Sequence, residues 1–278
     1  MDTAIAPISV SDLRRLHGSR LAPLVIDVRR RPAFAAAAHM ISGAIWRDPF
    51  ALETWSHFVP RHQEVVVYCV HGHEISKNTA DHLQTIGVRA RYLQGGIEAW
   101  TNVGGPLTLK TTTPLIPSPI NQPSVWVTRE RPKIDRIACP WLIRRFIDPL
   151  AEFVYVPAAE VLAYAEQHDA IAYDVPNVRF THRGDRCSFD ALVADFDLQD
   201  AALHQLAAIV RGADTGAPEL TAQSPGLLAV SLGLSALYQD DHDMLTKGLD
   251  VYDALYAWAK HAQTETHNAD LFRQADKS

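Results

Sequence analysis

An α/β unit with a largely parallel sheet, followed by a second, α-rich α+β domain, is the fold class this sequence predicts, and three observations carry it. In the first hundred residues, apolar runs rich in Val and Ile alternate with helix-like segments. Between 108 and 123 the stretch TLKTTTPLIPSPINQP loses periodicity and carries four prolines, as an extended connection between domains does. After one further strand-like run, the remainder reads mostly as helix. At 278 residues the chain is long enough for two domains, each burying its own core.

Taken in order, SVSDLRRLHG opens on a capping Ser9 and stops at Gly18, which predicts a short helix. LAPLVIDVR (21–29) and EVVVYCV (64–70) are apolar enough to be strands buried on both faces. SKNTADHLQTIG predicts a helix from Ser76 to Gly87, and ARYLQGG a short strand running into a turn. Beyond the proline-rich segment, SVWVTRE (124–130) is a strand. Helices are expected over 139–148, 157–167, 188–196, 200–210, 225–238 and 243–262, with a polar tail over 263–278.

The bulk properties exclude several function classes. A net charge of -6 provides no global attraction to nucleic acid, which is disfavoured as a partner. No apolar stretch approaches the length that spans a bilayer, and the N-terminus lacks a signal-peptide pattern, so no membrane partner and a cytoplasmic location are expected. The three cysteines, Cys69, Cys139 and Cys187, are odd in number and lack a CxxC pair, which predicts reduced thiols.

Cys69 stands out because a buried strand delivers it into a short loop containing Gly72, with a helix starting just after. Backbone N–H groups in such a loop converge on the sulfur, and the helix dipole adds to them, favouring the thiolate. His71, Gly72 and His73 are poor core material, whereas polar loops at the carboxyl ends of α/β strands are where such sheets place ligands. Cys69 is therefore the candidate nucleophile.

This stretch resembles the rhodanese active-site pattern of Cys, two residues, Gly and a helix start. IDVR (with Asp27 and Arg29), HMISGA (His39 to Ala44) and YLQGGIEAW (Tyr92 to Trp100) resemble the same family in order and spacing, covering residues 5–107. The resemblance implies a doubly wound, mainly parallel sheet and a thiosulfate or persulfide sulfurtransferase. In it Cys69 holds sulfane sulfur as a persulfide, taking it from a small-molecule donor and passing it to cyanide or a thiol. The loop Val70, His71, Gly72, His73 and Glu74 would cradle persulfide and donor, with Asp27 and Arg29 bracing it. No cofactor is required for this transfer. Two departures stand in the chain: Glu74 occupies a place where the family often has a cation, which weakens the case for dianionic thiosulfate, and the HMISGA turn differs from the family's His-Ile-Pro-Gly-Ala. The absence of any Arg from Cys69 through Val88 disfavours the phosphatase-like relatives, whose longer loop closes on an Arg.

In the second half, Arg129, Arg131, Lys133 and Arg136 gather where a strand ends and a helix begins, a candidate oxyanion site. FTHRGDRCSFDAL places His182 and Cys187 around a turn, a candidate pair of metal ligands that Cys139 or the run Asp240 to Asp243 would complete, with Ser188 as the next helix's N-cap. RERPKIDRIACPWLIRRFID, HRGDRCSFDAL, IVRGADT and GLDVYDALYAWA resemble the C-terminal domain of ChrB-type chromate-resistance proteins, over residues 124–262. That resemblance implies a role in chromate response, with chromate as a candidate partner. The function expected is a cytoplasmic sulfurtransferase coupled to a chromate-response domain. The alternative is a non-catalytic chromate or redox sensor that binds an oxyanion through residues 129–145.

Overall fold

A computed structural model describes residues 6–110 and 123–265. Most of the expected linker (111–122) and of the polar tail (266–278) lies outside the described residues. The first region runs β1 (Pro7–Ile8), α1 (Val10–Leu16), β2 (Leu24–Asp27), α2 (Arg31–Ala36), β3 (His39–Ile41), β4 (Ile45–Trp46), α3 (Leu52–Trp55), β5 (Val65–Tyr68), α4 (Glu74–Thr85), β6 (Ala90–Leu93), α5 (Gly96–Asn102) and β7 (Leu107–Leu109). The second continues with β8 (Val125–Arg129), α6 (Asp135–Phe146), β9 (Glu152–Val156), α7 (Val161–His168), β10 (Ile171–Ala172), α8 (Ser188–Asp195), α9 (Ala201–Asp214), α10 (Ser224–Leu237) and α11 (Asp241–Ala257).

The first sheet has the order β1-β6-β5-β2-β4, with every neighbouring pair parallel. Because successive side chains alternate across the strand, Val65, Val67 and Cys69 pack with Ala80 and Leu83 of α4, while Val66 and Tyr68 join Leu13, Val25 and Trp100 on the other face. This alternation aims Cys69 toward α4. The fold is the α/β, mainly parallel architecture expected of a rhodanese-like chain. Helix α4 begins at Glu74 rather than Ser76, so Glu74 is an exposed residue of the first turn instead of the last loop residue.

The second region is α-rich, and its strands form a three-stranded parallel sheet, β10-β8-β9. The sequence offered only β8, because β9 and the two-residue β10 are short and half-buried. Trp126 faces a large core with Trp141, Phe146, Phe189 and Tyr252, whereas Val127 faces α7 through Val161. Helix α6 starts at Asp135, with Pro140 inside it. A proline there leaves the carbonyl of Arg136 without its helical donor, and the Tyr173 hydroxyl donates to that oxygen at 3.3 Å.

The two regions pack together. The carbonyl of Phe196 accepts the Thr108 hydroxyl at 2.9 Å and the Leu109 amide at 3.2 Å, and Lys260 donates to the carbonyl of Arg14 at 2.9 Å. Gly18, at φ +77°, lies against the rings of Phe146 and Tyr256; a Cβ there would come within 2.6 Å of Phe146. His17 is buried between Trp100 and Phe146.

Candidate active site

Cys69 sits one residue past β5, at the carboxyl edge of the first sheet, and is 6% exposed. The loop after it closes onto the turn that starts α5. Ile97 N–H donates to the Cys69 carbonyl at 3.0 Å, and Glu98 N–H to the Val70 carbonyl at 3.2 Å. Gly72 (φ +68°) and Gly96 (φ +59°) allow this contact, since a Cβ on Gly96 would lie 2.6 Å from the Gly72 nitrogen. His71 and His73 are exposed, and His71 Nδ1 lies 3.0 Å from Glu98.

Burial by itself pushes the Cys69 thiol up. The Ser76 hydroxyl at 3.3 Å, followed by the backbone amides of His73, Ser76 and His71, outweighs it and holds the thiol below the usual cysteine range. Ser76 thus contributes both a hydroxyl and an amide, beyond the residues 70–74 expected from sequence. In the sequence Ser76 marks only the expected start of the helix. A hydroxyl one turn into the helix, on the side facing the preceding strand, was the available signal.

Asp27 and Arg29 form a buried pair beside this strand end. Arg29 Nε contacts both Asp27 carboxylate oxygens at 2.9 and 3.0 Å, and the Tyr68 hydroxyl donates to Asp27 at 2.8 Å. Tyr68 immediately precedes Cys69, and its carbonyl accepts Val28 N–H at 2.8 Å. The pair therefore ties the neighbouring strand ends together.

The second region's expected site residues part company. Arg131 donates to the carbonyls of Ser235, Tyr238 and Gln239, capping the end of α10, while its amide donates to Asp241. It is a structural cap rather than an oxyanion ligand, because the last carbonyls of a helix lack intrahelical donors. Arg129 and Arg136 each approach Asp174 at 3.4 Å, and Lys133 is half-buried. Cys187 also departs from its expected role. It is the N-cap of α8 in place of Ser188, its thiol donates to Asp190 at 3.4 Å, and burial pushes that thiol far above the usual range. Cys139 is likewise buried, pushed up, and turned to Asp135. Asp240 caps α11, and Asp241 accepts from Arg131.

His182 instead meets three carboxylates that sequence reasoning missed. Its Nε2 is 3.1 Å from Asp214, 3.4 Å from Asp174 and 3.6 Å from Asp135. Asp135 is 1% exposed, and burial followed by its acidic neighbours Asp214 and Asp174 raises its carboxyl well above the usual range. Asp135 and Asp214 each lie in a stretch quoted above, IDRIACP and VRGADT, where nothing local marks either as a ligand.

Comparison with known proteins divides the chain at the same place. Residues 9–103 match the rhodanese-like domain, and residues 126–259 match the C-terminal domain of ChrB. Protein ChrB of Cupriavidus metallidurans is 37% identical over 132 residues, which is 47% of this chain, and the match spans 39% of that relative's length. Among solved structures, a rhodanese-related protein from Thermoplasma volcanium is 26% identical over 37% of this chain and 98% of its own, with a TM-score of 0.34. A rhodanese-like domain protein from Staphylococcus aureus is 20% identical over 38% and 100%, also at 0.34.

Proposed function

We propose that this chain, which joins a rhodanese-like domain to a ChrB C-terminal domain, is a cytoplasmic sulfurtransferase whose Cys69 carries a persulfide. The observation that supports it is the contrast among its three free cysteines. Only Cys69 has its thiol held down, and it lies in a loop whose amides point at the sulfur.

The Cys69 thiolate attacks the sulfane sulfur of a donor, forming a Cys–S–S⁻ persulfide and releasing the remainder: sulfite from thiosulfate, or a thiolate from a small persulfide. An acceptor thiolate or cyanide then attacks the outer sulfur, leaving as a persulfide or thiocyanate and restoring the Cys69 thiolate. The inward amides stabilise the charge of both forms. Glu74 in the first turn of α4 opposes a dianion, so a singly charged persulfide is the better donor. The second domain links this transfer to chromate response, where a reducing sulfur carrier meets an oxidising anion. A purely sensory role through the basic cluster has less support, since Arg131 caps a helix and Arg129 and Arg136 face an acid.

The test is intact mass after brief exposure to thiosulfate and, separately, to a low-molecular-weight persulfide. One added sulfur atom is expected on the native chain and none on Cys69→Ser. No addition from either donor would overturn the reading.

A further inference from the structure

The group around His182 gathers more carboxylates than one imidazole N–H can serve. One imidazole nitrogen faces carboxylate oxygens of Asp214, Asp174 and Asp135 at 3.1, 3.4 and 3.6 Å. A single N–H donates along one direction and serves one of them well. A cation among them serves all, and the edges of a tetrahedron of nitrogen and oxygen ligands at zinc-like bond lengths are about 3.3 Å. One ligand atom each from Asp135, His182 and Asp214 lies within 4.8 Å of the others.

These residues come from separate elements: Asp135 from the first turn of α6, Asp174 from just past β10, His182 from the loop before α8, and Asp214 from the end of α9. Their orientation is fixed from behind. The Asp135 carboxylate accepts Ser188 N–H at 2.6 Å and Phe189 N–H at 3.0 Å, while Asp174 accepts the Ser188 hydroxyl at 2.8 Å. Such outer contacts hold metal ligands in place. The nearby guanidinium groups, Arg129 and Arg136, both pair with Asp174, leaving the buried Asp135 and the half-buried Asp214 with the imidazole between them. The position is also where this sheet opens. Strand order places β9 and β10 on opposite sides of β8, so connections diverge beside the carboxyl ends of β8 and β10, the crevice where parallel sheets take ligands. The His182 side chain is 41% exposed, giving solvent access from one side.

We propose that Asp135, His182 and Asp214, with Asp174 beside them, bind one divalent transition-metal ion of the zinc or manganese class. One imidazole with carboxylates suits these ions better than the all-oxygen sets of magnesium and calcium. Cys139 and Cys187 stay outside the ligand set, each turned to a carboxylate as a protonated thiol. The site is separate from Cys69 and stands whether or not that thiol transfers sulfur.

Calorimetric titration of the full, chelator-stripped chain with Zn²⁺, Mn²⁺ and Mg²⁺ tests it, together with the absorption spectrum of the Co²⁺-substituted protein. The expected result is one equivalent of Zn²⁺ or Mn²⁺ per chain. Binding is expected to weaken at least about a hundredfold in His182→Ala and Asp214→Asn and to be unchanged in Cys69→Ser, with circular dichroism checking the fold of each. The Co²⁺ spectrum is expected to lack thiolate charge-transfer bands. No stoichiometric binding, binding indifferent to His182→Ala and Asp214→Asn, preference for Mg²⁺, or a thiolate spectrum would each overturn the proposal.

Discussion

Two parallel sheets in one chain end in crevices of opposite character. At the edge of the first, backbone amides and the start of α4 converge on Cys69, and the thiol is held down. At the edge of the second, Asp135, Asp174 and Asp214 converge on His182, and the buried thiols Cys139 and Cys187 are pushed up. The same backbone device, a strand end opening beside a helix start, gathers amide donors at one edge and carboxylates at the other. Parallel sheets supply the place, and residue chemistry supplies the sign.

The contrast between the two edges predicts different thiol reactivity. In the folded chain at neutral pH, iodoacetamide should alkylate Cys69 and leave Cys139 and Cys187 slower by on the order of a hundredfold or more, because they react only through local opening. Peptide mapping after timed quenching reads all three rates at once. Comparable rates at Cys69 and Cys187 would erase the distinction between the two edges.

The second prediction asks whether the two regions behave as one body. His17, between Trp100 of the first region and Phe146 of the second, is pushed down to about 4, by burial first; the Ser42 carbonyl and Asp200 oppose the shift, and Lys260 adds to it. From pH 6.5 down to about 4 the unfolded chain takes up a proton that the folded one refuses. Stability therefore falls as pH falls through that window, by about 3 kcal/mol from this residue, and this contribution is flat below it. Urea unfolding across pH 4–7 should show a smaller loss in His17→Gln, with both regions unfolding together. Equal slopes in the variant would show that His17 is not buried uncharged at the interface.

How much of each edge was legible follows from how it is assembled. The groups that set the Cys69 thiol are contiguous, with strand, loop and helix start within residues 65–76, so the loop was legible from spacing and resemblance, while the Ser76 hydroxyl and the closing turn at 96–98 were not. The acid cluster draws on residues 135, 174, 182 and 214, each ordinary in its own stretch. Asp174 adopts φ +51°, a turn residue by local appearance, and Asp135 and Asp214 occupy helix ends. Reading the cations was harder still. Sequence shows that Arg131 is basic, but the helix end it caps lies more than a hundred residues away. Pro140 sits within α6 with help from another element: the hydroxyl of Tyr173 meets the carbonyl the proline leaves unpaired.

Among the groups that hold the Cys69 thiol down, the Ser76 hydroxyl is the largest single contributor; its one proton has the His73 carbonyl, at 3.1 Å, as the competing acceptor. Ser76→Ala removes a side-chain hydrogen bond and leaves the loop amides in place, a change worth about 1 kcal/mol. That corresponds to somewhat less than one pH unit in the midpoint of thiol ionisation. The alkylation rate of Cys69 should rise with pH in both proteins, with the midpoint higher in the variant. At neutral pH the variant reacts several-fold more slowly for want of thiolate, and the two rates meet once both thiols are ionised. A midpoint that does not move would assign the depressed thiol to the backbone alone, so that the first edge owes its sign to loop shape and the second to side chains.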